Sequence, residues 1–62
     1  MVMSRFAANK VIIDGEQFFN HVVEFVDELL VNHYPLTEEL PHTQWFRTLV
    51  IEEGRVVHAE RL

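Results

Sequence analysis

The stretch Asp14–Pro35, DGEQFFNHVVEFVDELLVNHYP, holds much of the apolar mass of a 62-residue chain, and its reading decides the fold. Spaced at about 100° per residue, Phe18, Phe19, Val22, Val23, Phe25, Val26, Leu29, Leu30 and Tyr34 fall in one half-circle. Gln17, Asn20, His21, Glu24, Asp27, Glu28 and Asn32 fall in the other, and only Val31 and His33 are misfits. Asp14 with Gln17 makes a capping-box pattern and Pro35 a stop, so periodicity supports a helix over 16–33. Composition supports strands. Val, Phe and Tyr suit a pleated surface, while Ala and Lys, both good helix formers, are absent from the stretch. A split at Asp27-Glu28 leaves Phe19–Val26 and Leu29–Tyr34, each of ordinary strand length. Neither alternates cleanly, which implies that both sheet faces are partly covered. So short a chain hardly covers both by itself, so the strand reading calls for a second copy.

The flanks read as β. Val11-Ile12-Ile13 runs into Asp14-Gly15, a β-branched run entering a strong turn dipeptide. Thr48–Glu52 and Arg55–Ala59 flank Glu53-Gly54, a hairpin in which Gly54 supplies positive φ. A two-residue turn sets Glu52 opposite Arg55, Ile51 opposite Val56 and Leu49 opposite His58. Between Pro35 and Trp45, two prolines forbid a continuous helix. A single helical turn near 37–41, capped by Thr37, fits the acids that follow it.

Size and charge set further limits. The chain is one domain, 1–62, and a core this small is marginal unless packing, a metal or a partner assists. With no cysteine, disulfides, thiolate metal sites and a cysteine nucleophile are excluded. A net charge of −5 without a basic cluster argues against nucleic acid and against anionic membrane surfaces. No apolar run approaches the ~20 residues of a membrane span. MVMSRFAANK lacks the apolar core of a secretory signal, so the expected compartment is the cytoplasm.

Chemistry-bearing patterns are sparse. Ser4 has no glycine elbow, and Glu38-Glu39 and Glu52-Glu53 read as solvated pairs. Two glycines cannot form a phosphate loop. His21, His33, His42 and His58 match no metal-ligand spacing. In a hairpin turning at 27–28, His21 and His33 lie close along the ladder but on opposite faces. No catalytic residue, metal site or cofactor is therefore expected; a dimer interface is the one place where His21 and His33 could share a site, and His33, His42 and His58 are the candidate ligands if the chain is a ligand- or metal-binding accessory. Phe18, Phe19, Phe25, Tyr34, Trp45 and Phe46 are the candidate interface anchors, since aromatic residues are enriched at interfaces.

The order of Ala8–Glu16, His21–Phe25, Leu30-Val31 and Pro35-Leu36 resembles the N-terminal β-module of amidohydrolases: strand, Asp-Gly turn, strand, tight turn, and a strand ending in Pro-Leu. The chain is also similar to short bacterial β-proteins in Gly15, Phe18, Val22, Val23, Glu24, Pro41, Thr43 and Trp45. The tight turn departs from the pattern, with Asp27-Glu28 where Asp-Gly is expected. The His-x-His of the amidohydrolase metal site is missing, and a (β/α)₈ barrel of at least ~200 residues does not fit. The resemblance implies the scaffold of a small sheet without the enzyme's activity.

Together these readings predict a mainly β domain, a small meander of four to five short strands in hairpins with one helical turn near 37–41. The alternative is an α+β domain with a helix at 16–33. The expected role is a non-catalytic interaction or assembly module that forms a homodimer. The alternative role is a ligand- or metal-binding accessory subunit of an enzyme such as an amidohydrolase.

Overall fold

A computed structural model describes residues 2–62. The chain is mainly β: β1 (Met3–Ile13), β2 (Glu16–Val26), β3 (Leu29–Pro35), β4 (Gln44–Glu52) and β5 (Arg55–Arg61) form a single sheet in the order β3-β2-β1-β4-β5. The helix over 16–33 does not form. Nor does the turn of helix near 37–41, because residues 36–43 cross the sheet as irregular chain. The sheet is not a simple meander either. β1–β2, β2–β3 and β4–β5 are antiparallel hairpins, but β4 joins the sheet parallel to β1.

Three two-residue turns set the hairpins. Positive φ occurs at both central residues of each: Asp14-Gly15 (49° and 87°), Asp27-Glu28 (51° and 70°) and Glu53-Gly54 (51° and 79°). This is the twist-matched hairpin geometry. Glu28 adopts it at a cost of about 1 kcal/mol. The turn is held by its neighbours: Asp27 N–H donates to the Val2 carbonyl (2.8 Å), and Val2 N–H donates to Asp27 Oδ1 (3.0 Å).

The sheet curls. Leu30 N–H on β3 donates to the Gly54 carbonyl in the β4–β5 turn (2.8 Å), although β3 and β5 are the two edges of the sheet. The curl encloses an inner face on which Ala8, Val11, Val23, Phe25, Leu49 and Ile51 form the core, with Phe6, Ile13, Phe18, Leu30 and Phe46 packed around it. Phe6 meets Phe25 and Phe46 edge-on at 5.7 and 5.6 Å.

The core positions show why Asp14–Pro35 mimics a helix. Along β1 the inward residues step from Ala8 to Val11, along β2 from Phe18 to His21, and along β4 from Phe46 to Leu49. In each strand the alternation reverses at one row, at Asn9, Asn20 and Arg47. Asn20 takes φ of 51° there, a conformation that Asn tolerates better than most side chains. Beyond the reversal, His21 to Phe25 are buried without a break. A period-2 strand with one phase change and a doubly buried end imitates a period of 3.6.

The doubly buried end needs no second copy. Ala7 and Val22 face outward yet are wholly buried. The crossover 36–43 passes over them: Leu36 and Leu40 are partly buried, and Leu36 N–H donates to the Asn20 carbonyl (2.8 Å). Arg5 Nη1 donates to the Pro41 carbonyl (3.4 Å). The curl covers one face and the crossover covers half of the other. Double burial in this half therefore gives no argument for a partner.

Candidate functional site

Two polar clusters and one open surface carry the side chains with chemical potential. The first cluster lies on the outer face under the crossover. Glu24 is buried, and its carboxylate accepts from Tyr34 Oη (2.8 Å), Arg5 Nε (3.1 Å) and Asn32 Nδ2 (3.5 Å). Arg5, Glu24 and Asn32 stand in one row across β1, β2 and β3, so the register itself delivers the donors. The hydrogen bond from Tyr34 holds the Glu24 carboxyl below its ordinary value, with the Arg5 and Asn32 bonds and the Arg5 charge adding to it against the opposing effect of burial. The same bond pushes the Tyr34 phenol up, helped by burial and the Glu24 charge and opposed by Arg5. The carboxylate is engaged on both oxygens and works as a structural anchor rather than a free base.

The second cluster lies on the inner face. His21 Nε2 and His33 Nδ1 are 2.9 Å apart, with the shared proton on one or the other. Phe18 stacks on His21 at 4.5 Å and lies 5.3 Å from the His33 ring. His21 is buried, whereas His33 is exposed. Burial, and then the charge of His33, lowers the His21 pKa from its usual value.

The expectation that these histidines face opposite ways is overturned by a bulge. Phe25 pairs with Leu30 but Glu24 with Asn32, so Val31 is an extra residue in β3. The insertion sets His33 opposite Val23 instead of Val22, on the same face as His21. Val31, a misfit in the helical reading, is the residue responsible. A second bulge corrects the C-terminal hairpin. Glu52–Arg55 and Ile51–Val56 pair as expected, but Val57 is extra, so His58 faces Val50 and Leu49 faces Ala59.

The candidate ligands His33, His42 and His58 are not brought together. His42 sits in the crossover at φ 55°, and His58 lies on β5 with Nε2 3.6 Å from Glu60 Oε2. Among the described residues no three of His, Cys, Asp and Glu are grouped to hold a metal ion. The candidate anchors divide. Phe25 is buried in the core, with Phe18 and Phe46 packed against it, and Tyr34 is spent on Glu24. Phe19 and Trp45 stay accessible, at 65% and 41%.

Phe19 belongs to the open surface, the turn-proximal half of the outer face. The register gives its layout. One row runs Phe19, Lys10, Thr48, Glu60 and the next runs Gln17, Ile12, Val50, His58, across β2, β1, β4 and β5. None of these side chains is buried. Strict alternation from Val23 and Phe25 points Phe19 inward, and its outward direction follows only from the phase change at Asn20. No helix among the described residues is long and apolar enough to cross a membrane. Comparison with family models, with curated proteins and with solved structures finds no match for the chain.

Proposed function

We propose that the chain is a non-catalytic interaction module that assembles with a second copy of itself through the open half of its outer face. The observation that carries this reading is Phe19, 65% exposed beside partly exposed Ile12 and Val50, where no element among the described residues covers them. Large aromatic side chains held out by a rigid sheet are characteristic interface anchors. Charge supports a like partner. Lys10 and Glu60 flank Thr48 in one row, so a copy turned over about the β4 axis sets each Lys10 against Glu60 of the other. The same operation carries Phe19 towards the edge of β5, a strand whose seven residues are all exposed. Against catalysis stands the closed polar chemistry of the buried carboxylate: Glu24 is taken up by the Tyr34 hydroxyl and the Arg5 guanidinium.

Sedimentation equilibrium tests the reading. The chain is expected to be dimeric at micromolar concentration. Lys10→Glu should return it to monomer, and Lys10→Glu combined with Glu60→Lys should restore the dimer. A wild-type chain that sediments as a monomer at that concentration rules out the assembly.

A further inference from the structure

We propose that His21 and His33 form a two-imidazole site for a divalent late transition metal, Cu²⁺ above all, on the inner face of the sheet. The site is built from three elements of order. The bulge at Val31 puts both histidines on one face, the register holds them on adjacent strands, and Phe18 packs on both rings. Their facing nitrogens, His21 Nε2 and His33 Nδ1, are already 2.9 Å apart.

That separation selects a geometry. Two metal–nitrogen bonds of about 2.0–2.1 Å span roughly 2.9 Å when they meet at a right angle, and roughly 3.3 Å at the tetrahedral angle. The pair therefore fits neighbouring positions of a tetragonal shell, the preference of Cu²⁺ and Ni²⁺, better than a tetrahedral zinc site. Copper also heads the affinity order for nitrogen ligands. His33 is exposed, so a metal enters from solvent and water completes its shell.

Proton balance is simple. In the free protein one of the two facing nitrogens carries the shared proton. On binding, that ring moves its proton to its far nitrogen, so His21 is protonated at Nδ1 and His33 at Nε2. Both facing lone pairs then go to the metal, and two neutral imidazoles remain neutral. At a right angle each metal–nitrogen bond lies about 45° off the line between the nitrogens, so on binding the rings turn out of their present hydrogen bond, and the exposed His33 ring has the room to do most of the turning.

The inference is independent of the dimer, because both ligands come from one chain. Calorimetric titration of the full chain with Cu²⁺ should show one ion per chain, and electron paramagnetic resonance should show coupling to two imidazole nitrogens. His33→Ala should weaken binding by more than about tenfold. His33 is exposed on an edge strand, so this variant is expected to fold, which circular dichroism checks. His33→Gln is the second variant, isolating loss of the ligand from loss of side-chain bulk. His42→Ala and His58→Ala should bind as the wild type does. The assignment is overturned by weak, non-stoichiometric binding, by one-nitrogen coupling, or by a loss on His58→Ala equal to that on His33→Ala.

Discussion

The outer face of the sheet has two halves that the chain treats differently. In the half near the strand ends, Ala7 and Val22 are wholly buried beneath the crossover 36–43, and Glu24 is fixed by Tyr34, Arg5 and Asn32. In the half near the Asp14-Gly15 and Glu53-Gly54 turns, Ile12 and Val50 are only partly covered and Phe19 is open. The sheet and its curl are common to both halves. What differs is a single irregular segment, long enough to reach from β3 to β4 across β2 and β1 and no further. Apolar residues therefore mean core in one half and contact surface in the other, and strand propensity does not distinguish them.

The largest expected effect comes from charging the covered half. Val22→Asp places a carboxylate at a wholly buried position whose neighbouring donors, Tyr34 and Arg5, are already engaged by Glu24, at a cost of several kcal/mol. A domain this small has roughly 3–5 kcal/mol to lose. Val22→Asp should therefore be unfolded at room temperature, with the sheet signal lost in circular dichroism. A folded Val22→Asp would mean that the crossover lifts off and that the two halves are alike.

Next in size is the anchor beneath the crossover. Tyr34→Phe removes one charge-assisted hydrogen bond from Glu24, worth about 1.5–2 kcal/mol. For a chain of this length the midpoint of thermal unfolding should fall by roughly 6–16 °C. A shift within about 1 °C would show that the cluster is not what holds the covered half.

The same cluster sets a pH dependence with two limbs. Glu24 has its folded pKa lowered from 4.5, so its contribution is full above that value. It is lost as pH falls from there through the folded pKa. Tyr34 has its folded pKa raised from 10.0, so its contribution is full below that value and is lost as pH rises through the folded pKa. Denaturant midpoints measured across pH should fall at both ends. Glu24→Gln should flatten the acid limb, and Tyr34→Phe should remove the alkaline limb and shrink the acid one. An acid limb of equal size in Glu24→Gln would place the titrating group elsewhere.

Much of the fold is legible in local sequence because turn chemistry is local. Asp14-Gly15 and Glu53-Gly54 announce their hairpins, and even Asp27-Glu28 turns where the split of the apolar run puts it. Three things are not legible. The parallel pairing of β1 with β4 depends on the crossover, whose residues carry no strand signal. The phase change at Asn9, Asn20 and Arg47 exists only when three strands are laid side by side, and it makes a strand pattern look helical. The bulges at Val31 and Val57 each move one residue past its partner, and such a slip exchanges faces without changing composition. The histidine pair was hidden for that reason: its members are placed together by Val31, which has no polar chemistry of its own. The sign present in the sequence is the misfit of Val31 and His33 in the helical pattern.

The smallest expected change in stability is the one that most sharpens the contrast between the halves. Phe19→Ser removes the largest apolar side chain from the open half. In the monomer that side chain is already 65% exposed, and its cross-strand neighbour is Lys10. Little burial is lost, so the unfolding free energy at dilute concentration should stay within about 0.5 kcal/mol of the wild type. The same substitution should raise the dissociation constant of the proposed dimer by tenfold or more, since truncating an anchoring aromatic costs about 2 kcal/mol at an interface. The two measurements must be made on either side of the association midpoint, because a dimer stabilises its own fold by mass action. If Phe19→Ser loses as much stability in dilute solution as a core truncation, the open half is core in disguise. If it changes neither stability nor association, the second copy docks elsewhere.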